Sequence, residues 1–262
     1  MIAGARQGKK VDISALFKEQ IDIPCFEHQK KIVDNIEIIK KAIEKNIKLL
    51  ELFDELVNSC FFDMFKRYMN DTVTADTFFY NIRNGVSPST SGKHYEKSLT
   101  LSAFTQGDFD KSAWKDGYFD NCPPADKRIT DSDFYICRGN GNKELVGTGA
   151  YSTKSFSDLV FPDTIIAAKV DLKIIDLAYL CVAWKQPNVR IQIEKNARTT
   201  NGTFKINQQM VASIQIALPP LDLQKKFATF FSKVAIIKNA INIRLQLYEE
   251  LLEAKMYEYF ND

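Results

Sequence analysis

Few side chains in this sequence are arranged to make or break covalent bonds. Its two histidines, His28 and His94, lie far apart with no acid or nucleophile pattern around either, and His28 is expected to face solvent. A histidine-based acid or base therefore has no partner in the sequence. Five cysteines, Cys25, Cys60, Cys122, Cys137 and Cys181, are odd in number and scattered, without a C-x-x-C pair. That usage argues for a reducing compartment and against both a zinc site and a disulfide framework. Pro162-Asp163 and Lys169 lack the properly spaced E-x-K of a nuclease, and no G-x-x-x-x-G-K-[ST] phosphate loop occurs. What remains is recognition by hydrogen bonds. Arg138 follows the β-rich run Phe134-Tyr135-Ile136-Cys137 and opens the glycine-rich stretch Gly139-Asn140-Gly141-Asn142. There a forked donor projects from the edge of a strand.

The elements that position such residues are legible from a duplication. Ile21-Asp22-Ile23-Pro24-Cys25-Phe26-Glu27-His28-Gln29-Lys30-Lys31 aligns without a gap to Ile216-Ala217-Leu218-Pro219-Pro220-Leu221-Asp222-Leu223-Gln224-Lys225-Lys226, 195 residues later. The same offset pairs Leu50 with Leu245, Phe53 with Tyr248, Leu56 with Leu251 and Phe65 with Phe260. The period is too long for a solenoid of small stacked units. Pro24 and Pro219 mark helix starts, followed by acidic Glu27 and Asp222 at the positive end of the dipole. Ile36, Ile43, Leu50, Val57 and Met64 then recur every seven residues, with Ile39, Asn46, Phe53 and Cys60 at the other core position. No glycine or proline interrupts 25–84, so a helix of about 40 residues, near 60 Å long, is expected.

In the second copy the core candidates are Phe231, Val234, Ile241, Leu245, Tyr248, Leu252 and Tyr259. Lys238 and Lys255 occupy two places of the transferred register, so the stripe is expected to drift to Ile237 and Met256, nearer an eleven-residue repeat. Two such helices would be apolar rods if isolated, and are expected to pack antiparallel on each other. Asn46 either forms a polar step in that seam or turns to solvent.

Composition fits one sizeable core plus this extension: 262 residues, 45% hydrophobic, 26% charged, net charge +2. No apolar run approaches the roughly 20 residues that span a bilayer, and no charged-then-apolar leader opens the chain. A cytoplasmic location is expected. Between about 70 and 215 the character changes. Short β-rich runs at Phe134–Cys137, Thr164–Val170, Val189–Ile193 and Ile214–Ile216 are punctuated by glycine-asparagine turns, with one apolar helical stretch from Ile174 to Trp184. Strands and helices do not alternate regularly, which predicts an α+β domain. Trp114, Tyr118, Phe119 and Trp184 are assigned to its core.

Four motifs in order, together with the duplicated helix, carry a resemblance. Asn84-Gly85-Val86-Ser87-Pro88-Ser89-Thr90 is similar to a G-T-x-P-S-T opening. Phe134 to Gly141, followed by Leu145-Val146-Gly147, is similar to D-x-L-I-S-R-x-G…V-G, and Asn201-Gly202-Thr203-Phe204-Lys205-Ile206 with Ile216–Gln224 to an exit into a spacer helix. Over essentially its whole length the chain resembles the DNA-specificity (S) subunit of type I restriction–modification systems, as a partial copy with one target-recognition domain. The resemblance implies an α+β fold: one mixed α/β recognition domain plus two long helices packed as an antiparallel coiled coil. Residues 1–24 would be the tail of a missing first recognition domain, 25–68 the first spacer helix, 69–218 the recognition domain and 219–262 the second spacer helix.

It also implies a non-catalytic role without a cofactor or a membrane. Such a subunit reads a half-site in double-stranded DNA and docks methyltransferase (modification) subunits, reaching the restriction subunit indirectly. A second specificity chain or a homodimer would supply the other half-site. The family's partner subunits methylate DNA through an N-P-P-[YF] loop. Asn121-Cys122-Pro123-Pro124-Ala125 has an inserted cysteine, lacks the aromatic and reads as an ordinary loop. Residues 80–205 hold 17 Lys/Arg against 14 Asp/Glu, a net of +3, so a basic face requires segregation of charge. The DNA-facing candidates are loop residues: Ser87, Ser89, Thr90, Lys93 and Tyr95; Arg138, Asn140, Asn142 and Lys143; Arg198, Thr199, Thr200, Asn201 and Lys205. Arg and Asn suit guanine and adenine edges, while Lys, Ser and Thr suit phosphates. Two other readings stand beside this one: a truncated assembly remnant without DNA reading, and a methyltransferase or nuclease with an unrecognised site.

Overall fold

The computed structural model describes residues 2–4, 9–11, 23–105, 107–200 and 202–260. The chain divides into two units, Met1–Glu51 with Asn239–Asp262, and Leu52–Lys238. In the first unit β1 (Ile2–Gly4) and β2 (Lys9–Val11) pair antiparallel. Helix α1 then runs unbroken over Phe26–Phe65, 40 residues, with Glu27 in its first turn. Every position of the sequence-predicted heptad, from Ile36 to Met64, is buried or half-buried. Asn46 lies inside the stripe at 6% exposure. Its Nδ2 donates to the Ala42 carbonyl at 2.6 Å, while its Oδ1 has no partner among the described residues.

The second unit continues with β3 (Thr72–Thr74), β4 (Phe79–Asn84), β5 (His94–Leu99), the single-turn α2 (Ser102–Thr105) and β6 (Trp114–Phe119). There follow β7 (Arg128–Ile129), β8 (Asp133–Cys137), β9 (Gly139–Asn140), β10 (Gly149–Tyr151), β11 (Phe156–Val160) and β12 (Ile165–Val170). Helices α3 (Leu177–Trp184) and α4 (Pro187–Asn196) precede the hairpin β13 (Arg198–Thr200) and β14 (Thr203–Lys205).

One four-stranded sheet has the order β10-β8-β12-β4 and another β6-β5-β11-β7, while β13-β14-β9 forms a third. Strand β8 is buried on both faces, as a continuous apolar run allows. Its alternate residues feed separate cores. Phe134 and Ile136 join Ile166, Ala168 and α3. Tyr135 and Cys137 join Ile165, Ala167, Leu99 and Phe104. Helix α3 is apolar all round and buried at all eight positions, the signature of a helix enclosed by its neighbours. The Asp176 carboxylate caps it by accepting from the amides of Ala178 at 2.8 Å and Tyr179 at 3.2 Å.

One run departs from expectation. Val189–Ile193 is not a strand but the middle of α4. Valine and isoleucine at 189, 191 and 193 satisfy a period of two, yet only Val189 and Ile193 are buried, and Ile191 is 65% exposed. The i, i+4 spacing wins because Pro187 starts a helix and the Val189 and Arg190 amides bond back to Gln186.

The chain leaves the domain through α5 (Gln208–Ala212) and β15 (Gln215–Ala217), then enters α6 (Leu221–Phe260), again 40 residues. Strand β15 pairs antiparallel with β3, Ala217 opposite Thr72. This two-stranded ribbon sets the end of α1 beside the start of α6, so the helices pack antiparallel. In the second unit the Phe61 and Phe65 rings lie 5.4 and 5.5 Å from Phe227, and Lys238 Nζ is 2.6 Å from Asp54. In the first unit Asn35 Nδ2 donates to the Tyr259 hydroxyl at 3.0 Å.

The inward stripe of α6 is Phe227, Phe231, Val234, Lys238, Ile241, Leu245, Tyr248, Leu252, Lys255 and Tyr259, all buried or half-buried. The expected drift to Ile237 and Met256 does not occur; they are 45% and 42% exposed. A strict heptad persists because lysine lays its aliphatic stem along the seam and carries its charge to the rim. There Lys238 meets Asp54, and Lys255 meets Glu258 and the Tyr259 ring.

The duplication reaches the side chains. Gln29 Nε2 donates to the Pro24 carbonyl at 2.7 Å, and 195 residues later Gln224 Nε2 donates to the Pro219 carbonyl at 2.8 Å. Gln224 is fully buried and its Oε1 also accepts from the Asp176 amide. No described helix is long and apolar enough to cross a membrane.

Candidate nucleic-acid interface

Arg138 leaves β8 at a crossroads of three segments. Its amide donates to the Thr164 carbonyl at 2.8 Å, and its own carbonyl accepts from the Ile206 amide at 2.9 Å. The guanidinium Nη1 donates to the Asp163 carbonyl at 3.2 Å, which tethers one side of the fork. At Gly139 an added Cβ would stand 3.2 Å from Lys205 Cγ, so the missing side chain lets the lysine stem cross the strand. Asn140 faces Phe204, and Gly139 faces Lys205, across β9 and β14.

The rest of this loop is fastened from beneath. Asn140 Oδ1 accepts from the Asn142 amide at 2.8 Å, and Asn142 Oδ1 accepts from the Glu144 amide at 2.9 Å. Both candidate acceptors are thus engaged in turn formation. Arg190 donates to the carbonyls of Lys143, Glu144 and Val146, and Trp184 Nε1 to that of Gly147. Gly147 needs its φ of 77°, and a Cβ there would stand 2.4 Å from Ile193. Arg190 escaped sequence reasoning because its run reads as a strand. Burial pushes the neighbouring Cys137 thiol up to about 11, which leaves it a protonated, inert core group.

A cleft of about 350 Å³ opens beside Arg138, lined also by Asn84, Asn207, Gln208 and Gln209. Asn84 ends β4, and the adjoining Arg83 is pinned by a buried bidentate pair to Asp133, at 3.0 and 2.7 Å, and by the Asp126 carbonyl. Gln208 Nε2 lies 3.4 Å from Asn84 Oδ1. Of the cleft residues the sequence singled out only Arg138 as a contact. Asn84 ends β4, Asn207 caps α5, and Gln208 and Gln209 open that helix, whose five residues are too few to show a period.

Away from this cleft, Tyr95 lies on β5, and Ser87, Ser89, Thr90 and Lys93 belong to the loop that precedes it. The Ser89 and Lys93 amides donate to the Tyr118 and Phe119 carbonyls. Tyr95 stacks edge-on to Tyr118 at 5.7 Å and donates to Asp116. Trp114 and Tyr118 are 40% and 50% exposed, so two of the four aromatics assigned to the core stand on the surface; Phe119 and Trp184 are buried. Both rings stand on the exposed face of β6. Lys97 lies 5.1 Å from the Trp114 ring but is neutralised by Asp158 at 2.9 Å. Arg198, Thr199 and Thr200 have a described backbone in β13, but their side chains, and Asn201 altogether, lie outside the described residues. Among the described residues no three His, Cys, Asp or Glu are grouped to hold a metal ion.

No protein-family model matches the chain. No curated protein matches its sequence. Its fold is similar to that of the type I restriction–modification S subunit from M. genitalium, at 14% identity and a TM-score of 0.60, over 100% of this chain and 68% of that one. The HsdS subunit from Thermoanaerobacter tengcongensis is similar at 14% identity and a TM-score of 0.47, over 98% and 64%. A structure described as the basis of complex assembly and conformational transition of a type I R-M system matches at 15% identity and 0.47, over 91% and 60%.

Proposed function

We propose that this chain is a non-catalytic DNA-recognition subunit of a type I restriction–modification complex. Residues 69–218 read a half-site in double-stranded DNA, and the helices of 25–68 and 219–262 dock methyltransferase subunits and, through them, the restriction subunit. A second specificity chain, or a second copy, supplies the other half-site. The observation that carries this reading is the likeness in fold, along the whole chain, to an S subunit. The Arg138 loop adds to it, since a forked donor on a fastened strand end suits a base edge. Lys93 and Lys205, both exposed, are the phosphate contacts of the proposal.

Co-expression with the neighbouring methyltransferase subunits, followed by mapping of methylated sites, tests it. A defined methylated motif that depends on this chain is expected. In that complex Arg138→Ala weakens cognate binding by about 1–3 kcal/mol and relaxes one position. Lys205→Ala weakens all sequences alike and lowers the salt slope by about 1. The purified chain, given labelled S-adenosylmethionine and duplex DNA, is expected to transfer no methyl group; turnover there favours an enzyme instead.

A further inference from the structure

We propose that Asn84, Arg138 and Gln208 together form the base-reading centre, taking adjacent adenine and guanine edges in the major groove. The inference rests on the DNA-recognition reading and names its specificity residues.

Three segments far apart in sequence converge on the cleft, each from the end of a fixed element. Asn84 closes β4, Arg138 follows β8, and Gln208 begins α5. The lining contains one charged group, Arg138, and no carboxylate. A phosphate site would gather several cations, and a cytosine-reading site would offer an Asp or Glu to accept from N4. Carboxamides instead match adenine, which presents an acceptor at N7 beside a donor at N6, and a guanidinium matches the two acceptors of guanine.

Hydrogen-bonding capacity narrows the choice. The oxygens of Asn140 and Asn142 are engaged in their own turn, and Asn207 Oδ1 accepts from the Met210 amide at 2.8 Å. Those three oxygens each already hold one hydrogen bond that fixes a local turn or cap, which turns the side chain toward its own backbone. Gln208 differs, and Asn84 orients it. Their mutual contact at 3.4 Å engages Asn84 Oδ1 and one amide hydrogen of Gln208; it leaves Gln208 Oε1 and its second hydrogen for a bidentate adenine pair, and Asn84 Nδ2 as a single donor, all without partners among the described residues. The single tether of Arg138 to Asp163 likewise leaves Nε and Nη2 free. The amide pair orients each member, and the carbonyl tether orients the fork, so fewer rotamers are lost when a base edge arrives.

The assembled complex with its methyltransferase subunits is the material for the test. Methylated motifs are mapped and cognate and scrambled duplexes are titrated for wild type, Asn84→Ala, Gln208→Ala and Gln208→Glu. Gln208→Ala and Asn84→Ala are expected to relax an adenine position next to the guanine position relaxed by Arg138→Ala. Cognate affinity falls roughly 5- to 150-fold, and scrambled duplexes bind within about twofold of wild type. Gln208→Glu is expected to shift preference at that position from adenine to cytosine, because a carboxylate accepts from N4 and cannot donate. A wild-type motif that all three variants leave intact, with affinities unchanged, overturns this assignment while sparing the DNA-recognition reading. A wild-type complex that binds every duplex alike overturns both.

Discussion

Glu96 and Arg128 meet between β5 and β7 through two bonds of 2.7 and 3.1 Å, each side chain under one-fifth exposed. The hydrogen bond from Arg128, with its charge, holds the Glu96 carboxyl below its ordinary 4.5. A carboxyl with a lowered folded value contributes stability that is whole above the unfolded value and is lost as pH falls through the folded one. Unfolding free energies from urea titration of wild type and Glu96→Gln should therefore differ most near pH 6, by about 1–2 kcal/mol, and converge toward pH 3. At Gly147, alanine meets both a positive φ and Ile193, so Gly147→Ala should cost about 1–3 kcal/mol or more in thermal unfolding. At this scale the sequence was partly legible. Glycines around Arg138 announce the loop, but nothing in the string Asn140-Gly141-Asn142 tells that its side chains serve the turn. Asn84 and Gln208 share a cleft only because β4 and α5 fold to the same edge.

Helix period was the most readable signal at the level of elements. In α1 every heptad residue it named is buried or half-buried, while Ile32, Phe61 and Phe65, also buried, were not named. In α6 the same reasoning failed at two lysines, because it treated a charged residue as unable to hold a core register. The lysine stem is apolar and the Asp54 and Glu258 carboxylates lie within reach. Leu50→Asp or Leu245→Asp should destabilise by several kcal/mol, since each puts a charge in the seam. Loss of helicity at 222 nm on heating measures it. Asn46→Leu should act in the opposite direction, raising stability by on the order of 1 kcal/mol, because it removes a buried acceptor without a partner. A lower melting temperature in that variant would show that Asn46 Oδ1 is satisfied in solution. The misassigned α4 teaches the reverse of the α6 error: β-branched residues two apart also fall four apart, and burial rather than propensity selects which spacing counts.

For the whole molecule the 195-residue echo carried the architecture, and the paired glutamines Gln29 and Gln224 show how local that echo is. The strand orders were not readable, since parallel β5 and β11 meet across a long stretch of chain whose pattern names no partner. Phe227 is where the second unit converges, with Phe61, Phe65, Phe230 and Phe231 around it. Phe227→Ala should cost about 3–5 kcal/mol, measured by urea unfolding. The β3–β15 ribbon has a consequence in time. Asp54 and Lys238 are 184 positions apart, and direct closure of so long a loop is entropically slow. Folding of the intervening domain removes that search, because its ribbon delivers the end of α1 and the start of α6 already side by side. In refolding, burial of Trp184 should therefore precede pairing of the helices, and a stopped-flow fluorescence phase should run ahead of the slower gain in coiled helix signal.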